Sequence, residues 1–112
     1  ITPTSAVNML RCSVVGYFAA NVGGAWNSIS ALFRDSAADA LYSQNITATA
    51  ASHRVIHKHQ TPLILAASTS NTIFKWRCGA SAASTTTFNG VSGASEFGAS
   101  NKSTIAVEEI QV

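Results

Sequence analysis

The feature that most constrains this chain is a pair of cysteines in segments of alternating polarity. Leu10 and Val14 flank Cys12 at a spacing of two, and Trp76 precedes Cys78 at the same spacing. Such alternation is typical of a strand with one buried face, so both thiols are predicted to point inward. A disulfide between Cys12 and Cys78 is the main interpretation. The alternative is two buried free thiols in a reducing compartment.

The composition indicates one domain, residues 1–112, of a secreted, extracellular protein. Charged residues make up 11% of the chain, less than half the usual share, and the formal net charge is +2. Ala, Ser, Thr and Gly occupy many positions where a cytosolic protein carries Lys or Glu. No stretch approaches the roughly 20 apolar residues of a membrane-spanning helix. The start at Ile1, without a signal-peptide pattern, predicts a processed product.

Residues 25–42 are predicted to form the single main helix. Trp26, Ile29, Phe33 and Leu41 belong to a series of apolar residues that recur at steps of three and four, as on one face of a helix. Strands are predicted at 7–17, 47–59, 63–67, 72–78, 85–88 and 103–110. The predicted fold class is therefore α+β: an antiparallel or mixed sheet of about four to five strands, covered on one face by the helix.

Three cations and three histidines are candidate surface-binding residues. By alternation, Arg11, Lys75 and Arg77 face away from the cysteines, and a disulfide would bring them onto one outer sheet face. That face would attract anionic lipid or wall polymers, although charge that merely keeps a sheet soluble is the simpler interpretation. Nucleic acid is not an expected partner, because the net charge is low and no aromatic residue shares this face.

His53, His57 and His59 share one parity, so a strand would place all three on one side. The hypothesis is a pH-responsive basic patch that strengthens binding in acid, with ordinary solvated histidines as the alternative. A metal site is not expected, because no acidic or cysteine ligand lies nearby in sequence.

Catalytic signatures are missing from the sequence. It has no Gly-x-Ser-x-Gly elbow, no His-Glu-x-x-His helix and no phosphate-binding glycine loop. Asp35 and Asp39 are four residues apart, and we interpret them as solvated side chains rather than an acid–base pair. The chain is predicted to be neither an enzyme nor a cofactor-binding protein.

The cysteine strand, the segment Leu32-Phe33-Arg34-Asp35-Ser36 and the strand ending Trp76-Arg77-Cys78-Gly79 together resemble the split β-α-β core of secreted fungal killer toxins. The resemblance covers residues 7–79 and lies in the pattern rather than in a specific motif; many relatives carry several disulfides where this chain has two cysteines. It implies an antifungal cytotoxic protein that acts at the wall or plasma membrane of a target cell, by membrane perturbation. The segment 80–100 would then supply partner or membrane contacts.

A different class of function is the alternative: a self-assembling surface or coat subunit. Low charge, abundant small residues and a strand-like tail at 104–112 suit association between copies. The expected partners are thus an anionic cell-surface polymer or membrane lipid for a toxin, with a second chain from the same precursor or a homo-oligomer also open. A carbohydrate-binding module would need an exposed aromatic platform, which the sequence does not locate.

Overall fold

The computed structural model describes residues 1–112, apart from the side chain of residue 99. The described chain is a β-sandwich whose one helical element is a short 3-10 turn, Phe97–Ala99. The strands, in chain order, are β1 (Met9–Ala20), β2 (Trp26–Arg34), β3 (Tyr42–Ala48), β4 (Arg54–Gln60), β5 (Ile64–Leu65), β6 (Phe74–Ala80), β7 (Thr86–Phe88), β8 (Gly90–Val91), β9 (Ala94–Ser95) and β10 (Thr104–Ile110).

Two antiparallel sheets form the two layers. In the first sheet, β1 lies between β10 and β4, and the short strands β5 and β7 pair with its two ends. In the second sheet, β2 lies between β3 and β6. Strands β8 and β9 form a separate small hairpin. Every pairing is antiparallel, which is the usual arrangement when hairpins and short loops connect the strands.

The predicted α+β fold with a helix at 25–42 is wrong. Residues 26–34 form the central strand of the second sheet, and residues 35–41 form the turns that lead into β3. The apolar residues of the predicted helical stripe divide between the two faces of this strand: Trp26 points into the core, whereas Ile29 and Phe33 point outward. Two serines, Ser28 and Ser30, occupy the buried positions that an ordinary strand would fill with apolar residues.

The core lies between the sheets and is centred on β1. Leu10, Cys12, Val14 and Phe18 are at most 1% exposed and all point inward from this strand. The ring of Phe18 packs against residues from three other strands: Trp26 and Trp76, each 6.3 Å away between centroids, and His57, stacked at 5.0 Å. Burying side chains of this size contributes about 1.5–3 kcal/mol each before entropy is subtracted, so β1 anchors both layers.

Other predicted strands differ in detail. The predicted strand 47–59 is divided into β3 and β4 by a turn at residues 49–53. The apolar run 63–67 is not a central strand: only Ile64–Leu65 pairs, with the start of β1, and Leu63 and Leu65 are about half exposed. Within the described residues, no helix is long and apolar enough to cross a membrane.

Candidate functional site

The outer face of the second sheet carries an apolar stripe along its central strand, β2. Ile29, Ala31 and Phe33 alternate along β2 on this face, and Ile29 is 40% exposed. In register, Ile29 lies beside Gly79 on β6, which contributes no side chain. These residues line a shallow groove of about 290 Å³, completed by Arg77. We call this surface the β2 face.

Polar groups differ between the two edges of the β2 face. On the β6 side, the Arg77 guanidinium lies 5.0 Å from the centre of the Phe33 ring, and Lys75 Nζ donates a hydrogen bond of 2.8 Å to the carbonyl of Asp35. On the β3 side, neutral Ser43 and Asn45 lie beside Ala31 and Ile29. One edge is therefore cationic and the other is neutral and polar.

The inward side of β2 carries a buried polar cluster, made of Ser28, Ser30, His57 and His59; we call it the serine–histidine cluster. Ser28 Oγ lies 2.7 Å from Nε2 of His57. Ser30 Oγ lies 2.9 Å from Nδ1 of His57 and 2.6 Å from Nε2 of His59. The serines belong to the second sheet and the histidines to β4 of the first, so these hydrogen bonds cross the core.

Burial controls the protonation of both histidines. His57 is fully buried and His59 is 4% exposed. Burial, together with the nearby ring of His59, lowers the pKa of His57 to about 4. Burial also lowers the pKa of His59. A charged imidazole loses its hydration in such a site, so both rings are neutral at neutral pH.

Three buried polar atoms near Ser30 have no hydrogen-bond partner within the described part of the chain. They are Nδ1 of His59, Nε1 of Trp76 and Oε1 of Gln44. Gln44 lies opposite Ser30 in the pairing of β3 with β2, and the rings of Trp76 and His59 are 6.4 Å apart. Unpaired buried groups cost free energy, so the neighbourhood of the serine–histidine cluster is the least satisfied part of the core.

The three histidines of the predicted pH-responsive patch lie partly on the surface and partly in the core. His53 is exposed in the turn before β4, whereas His57 and His59 point from β4 into the core. The three histidines therefore do not form one surface patch, although His57 and His59 lie together with ring centres 5.8 Å apart.

The predicted cations also lie apart. Arg11 points outward from the first sheet, where its Nε lies 2.5 Å from a carboxylate oxygen of Glu108. Lys75 and Arg77 point outward from β6 in the second sheet. The two sheets pack face to face, so these cations occupy opposite outer surfaces of the sandwich, and Arg11 is neutralised by its partner.

Cys12 and Cys78 are free thiols, so the structure does not contain the predicted disulfide. Both lie in the core but in different parts of it: Cys12 belongs to a cluster with Val14 and Leu32, whereas Cys78 packs against the cluster around Phe18. Burial raises the pKa of the Cys12 thiol and raises the pKa of Cys78 to about 12. Because the thiolate is the reactive form, both sulfurs are unreactive core groups in the folded protein.

The segment 80–100, predicted to make partner or membrane contacts, is tied to the first sheet by Glu96. The carboxylate of Glu96 accepts hydrogen bonds from Arg54, one of them 2.7 Å long from Nε, and from the hydroxyl of Tyr17. Phe97, the next residue, is 79% exposed. Phe97 therefore projects beside this anchor, whereas Phe88 of the same segment, 46% exposed, packs against Phe18 and Trp76.

Neither a metal centre nor a catalytic triad is assembled by the described residues. They contain no group of three or more His, Cys, Asp or Glu side chains placed to hold a metal ion. Ser28 and His57 are within hydrogen-bond distance, but both are fully buried and no described carboxylate hydrogen-bonds to either histidine. A substrate has no access to this pair.

Comparisons of the chain with protein-family models, with curated proteins and with solved structures found no match.

Sequence reasoning missed both features of β2, its apolar outer face and its polar inner face. The signal was present as the alternation Ser28, Ser30 against Ile29, Ala31. The alternation did not predict a buried face, because serine is expected inside a protein only where its hydroxyl has a hydrogen-bond partner. That partner, the histidine pair of β4, lies 27 to 29 residues away along the chain.

Proposed function

We propose that this chain is a self-assembling structural subunit whose copies associate through the β2 face. The observation that carries the proposal is the pattern of β2, which buries Ser28 and Ser30 between Trp26 and Leu32 and places Ile29, Ala31 and Phe33 on its outer side. Strands covered on both faces carry apolar residues on both faces. The outer residues of β2 have the composition of a covered face, and no further layer within the described part of the chain covers them.

A second copy of the chain is the partner that this face fits. A two-fold axis running along β2 would lay β6 of one copy over β3 of the other. The cationic edge, Lys75 and Arg77, would then meet the neutral polar edge, Ser43 and Asn45, while the apolar stripes meet in the middle. An axis across the strands would instead oppose like charges. Closed two-fold dimers are the commonest protein assemblies.

The shape of the molecule supports the same proposal. Its radius of gyration is 15.9 Å, against about 13 Å expected for a compact domain of this length. The broad side measures 48 × 30 Å, and a standard interface of about 800 Å² per partner would cover roughly half of it. The molecule is therefore flat and elongated rather than spherical, which leaves broad sheet faces open to contact with a second copy.

Light scattering coupled to size-exclusion chromatography over a concentration series tests the proposal. The wild-type chain is expected to reach a mass above the monomer as its concentration rises, and Ile29→Lys to stay monomeric, because a charge would be buried in the contact. Ile56→Lys is the matched control, since Ile56 is 57% exposed on a strand of the other sheet. A wild-type monomer at every concentration, or equal loss of association in both variants, would contradict the proposal.

Killer-toxin activity, secretion and an anionic target surface stay predictions of the sequence. The residues assigned to surface attraction, Arg11, Lys75 and Arg77, are divided between two outer faces, so electrostatic binding through one cationic surface has no support in the fold. Release of dye from anionic liposomes would measure that activity directly, with Lys75→Ser and Arg77→Ser as the variants that should reduce it.

A further inference from the structure

The serine–histidine cluster is the main polar link between the inner faces of the two sheets. It joins β2 to β4 through three short contacts between four buried side chains. It plays no part in the β2 face, which lies on the other side of the same strand.

The hydrogen bonds can be satisfied in one direction at a time. In one arrangement, Ser28 donates to Nε2 of His57, Nδ1–H of His57 donates to Ser30, and Ser30 donates to Nε2 of His59. In the other arrangement every donor and acceptor is exchanged, and all three hydrogen bonds are again formed. Both orders require neutral rings with one proton each. When both rings are charged, Ser30 Oγ faces two N–H donors and its own hydroxyl proton has no acceptor.

No described acidic side chain hydrogen-bonds to either ring. Tyr42 of β3 is a titratable group in contact with the pair, because its phenol ring meets His59 edge-on at 4.9 Å. The Cys12 thiol of β1 and the Cys78 thiol of β6 lie in the same core, in the apolar clusters around Val14 and Phe18. The inward-facing charges of other strands are used elsewhere: Arg34 of β2 donates to the carbonyls of Leu65 and Ala66, and Glu109 of β10 accepts from Asn8 and Thr4. A charge on either histidine is therefore buried without a described counter-ion.

We propose that the serine–histidine cluster is an acid-sensitive switch, which joins the two sheets while both histidines are neutral and separates them when the histidines are protonated. Protonation acts on the interior of each subunit, so the switch operates whether or not copies associate through the β2 face. Acid would open the sandwich and expose the aromatic core around Phe18.

The direction follows from linkage. An unfolded histidine has a pKa of about 6.5, whereas that of His57 in the fold is about 4. Between these values the unfolded state binds more protons, so stability is complete above about pH 6.5 and falls as the pH decreases towards 4. The predicted surface patch would have bound an anionic surface more strongly in acid. The buried pair instead makes the fold less stable in acid.

Thermal unfolding followed by tryptophan fluorescence tests the switch, because Trp26 and Trp76 both pack against this core. Using the Ile29→Lys background removes any contribution from association. The unfolding midpoint is expected to fall by at least about 5 °C between about pH 7.5 and about pH 4.5. The exposed-histidine control, His53→Gln, should show the same fall, and the double variant His57→Gln with His59→Gln should show a clearly smaller one.

If the double variant does not fold, NMR titration of the wild-type imidazole signals tests whether protonation of the two buried histidines is coupled to unfolding. The expected result is that above about pH 4.5 His57 stays neutral in most folded molecules, and charged imidazole appears mainly together with unfolded protein. A midpoint that does not move with pH, an undiminished fall in a folded double variant, or a His57 that becomes charged near its ordinary pKa of about 6.5 while the protein stays folded would each overturn the proposal.

Discussion

Ser30 on β2 and His59 on β4 face each other across the core, with the serine hydroxyl 2.6 Å from Nε2 of the imidazole. Ser30 also contacts Nδ1 of His57, so one side chain of the second sheet is shared by two of the first. The centre of this sandwich is thus specified by hydrogen bonds, which are directional, as well as by apolar packing.

Ser30→Ala should destabilise the protein more than Ser28→Ala does. The first change leaves two buried histidines short of a partner and the second leaves one. A buried group deprived of its partner costs about 1–3 kcal/mol, so we expect a loss near the top of that range for Ser30. Urea unfolding at neutral pH measures it, with the exposed Ser43→Ala as control; equal stability of the Ser28 and Ser30 variants would contradict the shared role of Ser30.

Gly16→Ala should also be destabilising, because Trp76 covers this glycine. A Cβ added at Gly16 would lie 1.6 Å from Cη2 of the indole, and that ring is held by Phe18 and Phe88. Forcing extra atoms into a packed core costs about 1–3 kcal/mol. Gly23→Ala, where an added Cβ meets nothing within 4 Å, is the matched control in a denaturant titration. If both variants unfold at the wild-type midpoint, the close packing of Trp76 on β1 is incorrect.

Glu96→Gln should loosen the segment 89–103. Hydrogen bonds from Arg54 and then Tyr17 lower the pKa of Glu96 to about 2. Above the ordinary carboxyl pKa of about 4.5, Glu96 is ionised and its contribution to the stability of the segment is complete. That contribution is lost as the pH falls towards 2 and the carboxylate becomes protonated. Limited proteolysis at neutral pH, read by mass spectrometry, should show faster cleavage within 89–103 for this variant. Glu108→Gln removes an ion pair on β10 and should leave that cleavage unchanged; similar rates in wild type and Glu96→Gln would count against the anchor.

Both cysteines should be found as thiols. Alkylation under denaturing, non-reducing conditions is expected to label Cys12 and Cys78 alike, whereas the native protein should react slowly because burial disfavours the thiolate. Intact-mass measurement before and after labelling reads the outcome. Detection of an unlabelled, cross-linked species would restore the disulfide and contradict the arrangement of the strands described above.

The strands with strict alternation could be predicted from the sequence, and the central strand of the second sheet could not. Cys12 and Cys78 were correctly assigned to inward positions of strands, because apolar neighbours at spacing two report a buried face directly. In β2 the inward set includes Ser28 and Ser30, and the outward set includes Ile29, which is exposed, and Phe33, which is partly buried. The three- and four-residue spacing of its large apolar residues therefore imitated a helix.

Prediction of the candidate sites was limited in the same way, because each site depends on contacts between distant strands. Parity placed Arg11, Lys75 and Arg77 relative to their own strands, but only tertiary structure tells which strands share a sheet, and β1 and β6 do not. Likewise, the shared parity of His57 and His59 is visible in the sequence, whereas their burial depends on two serines contributed by another strand. Long-range pairing of this kind leaves no local pattern.

The pairing of β1, the first strand, with β10, the last, has a consequence for biosynthesis. Arg11 lies opposite Glu108, so residues 97 apart in sequence must meet before the first sheet is complete. Because such distant pairings form slowly, one edge of β1 stays without its partner strand until β10 is available to pair with it. Truncation within 104–110 is therefore expected to leave the backbone groups of that edge exposed and to lower the expression yield through aggregation.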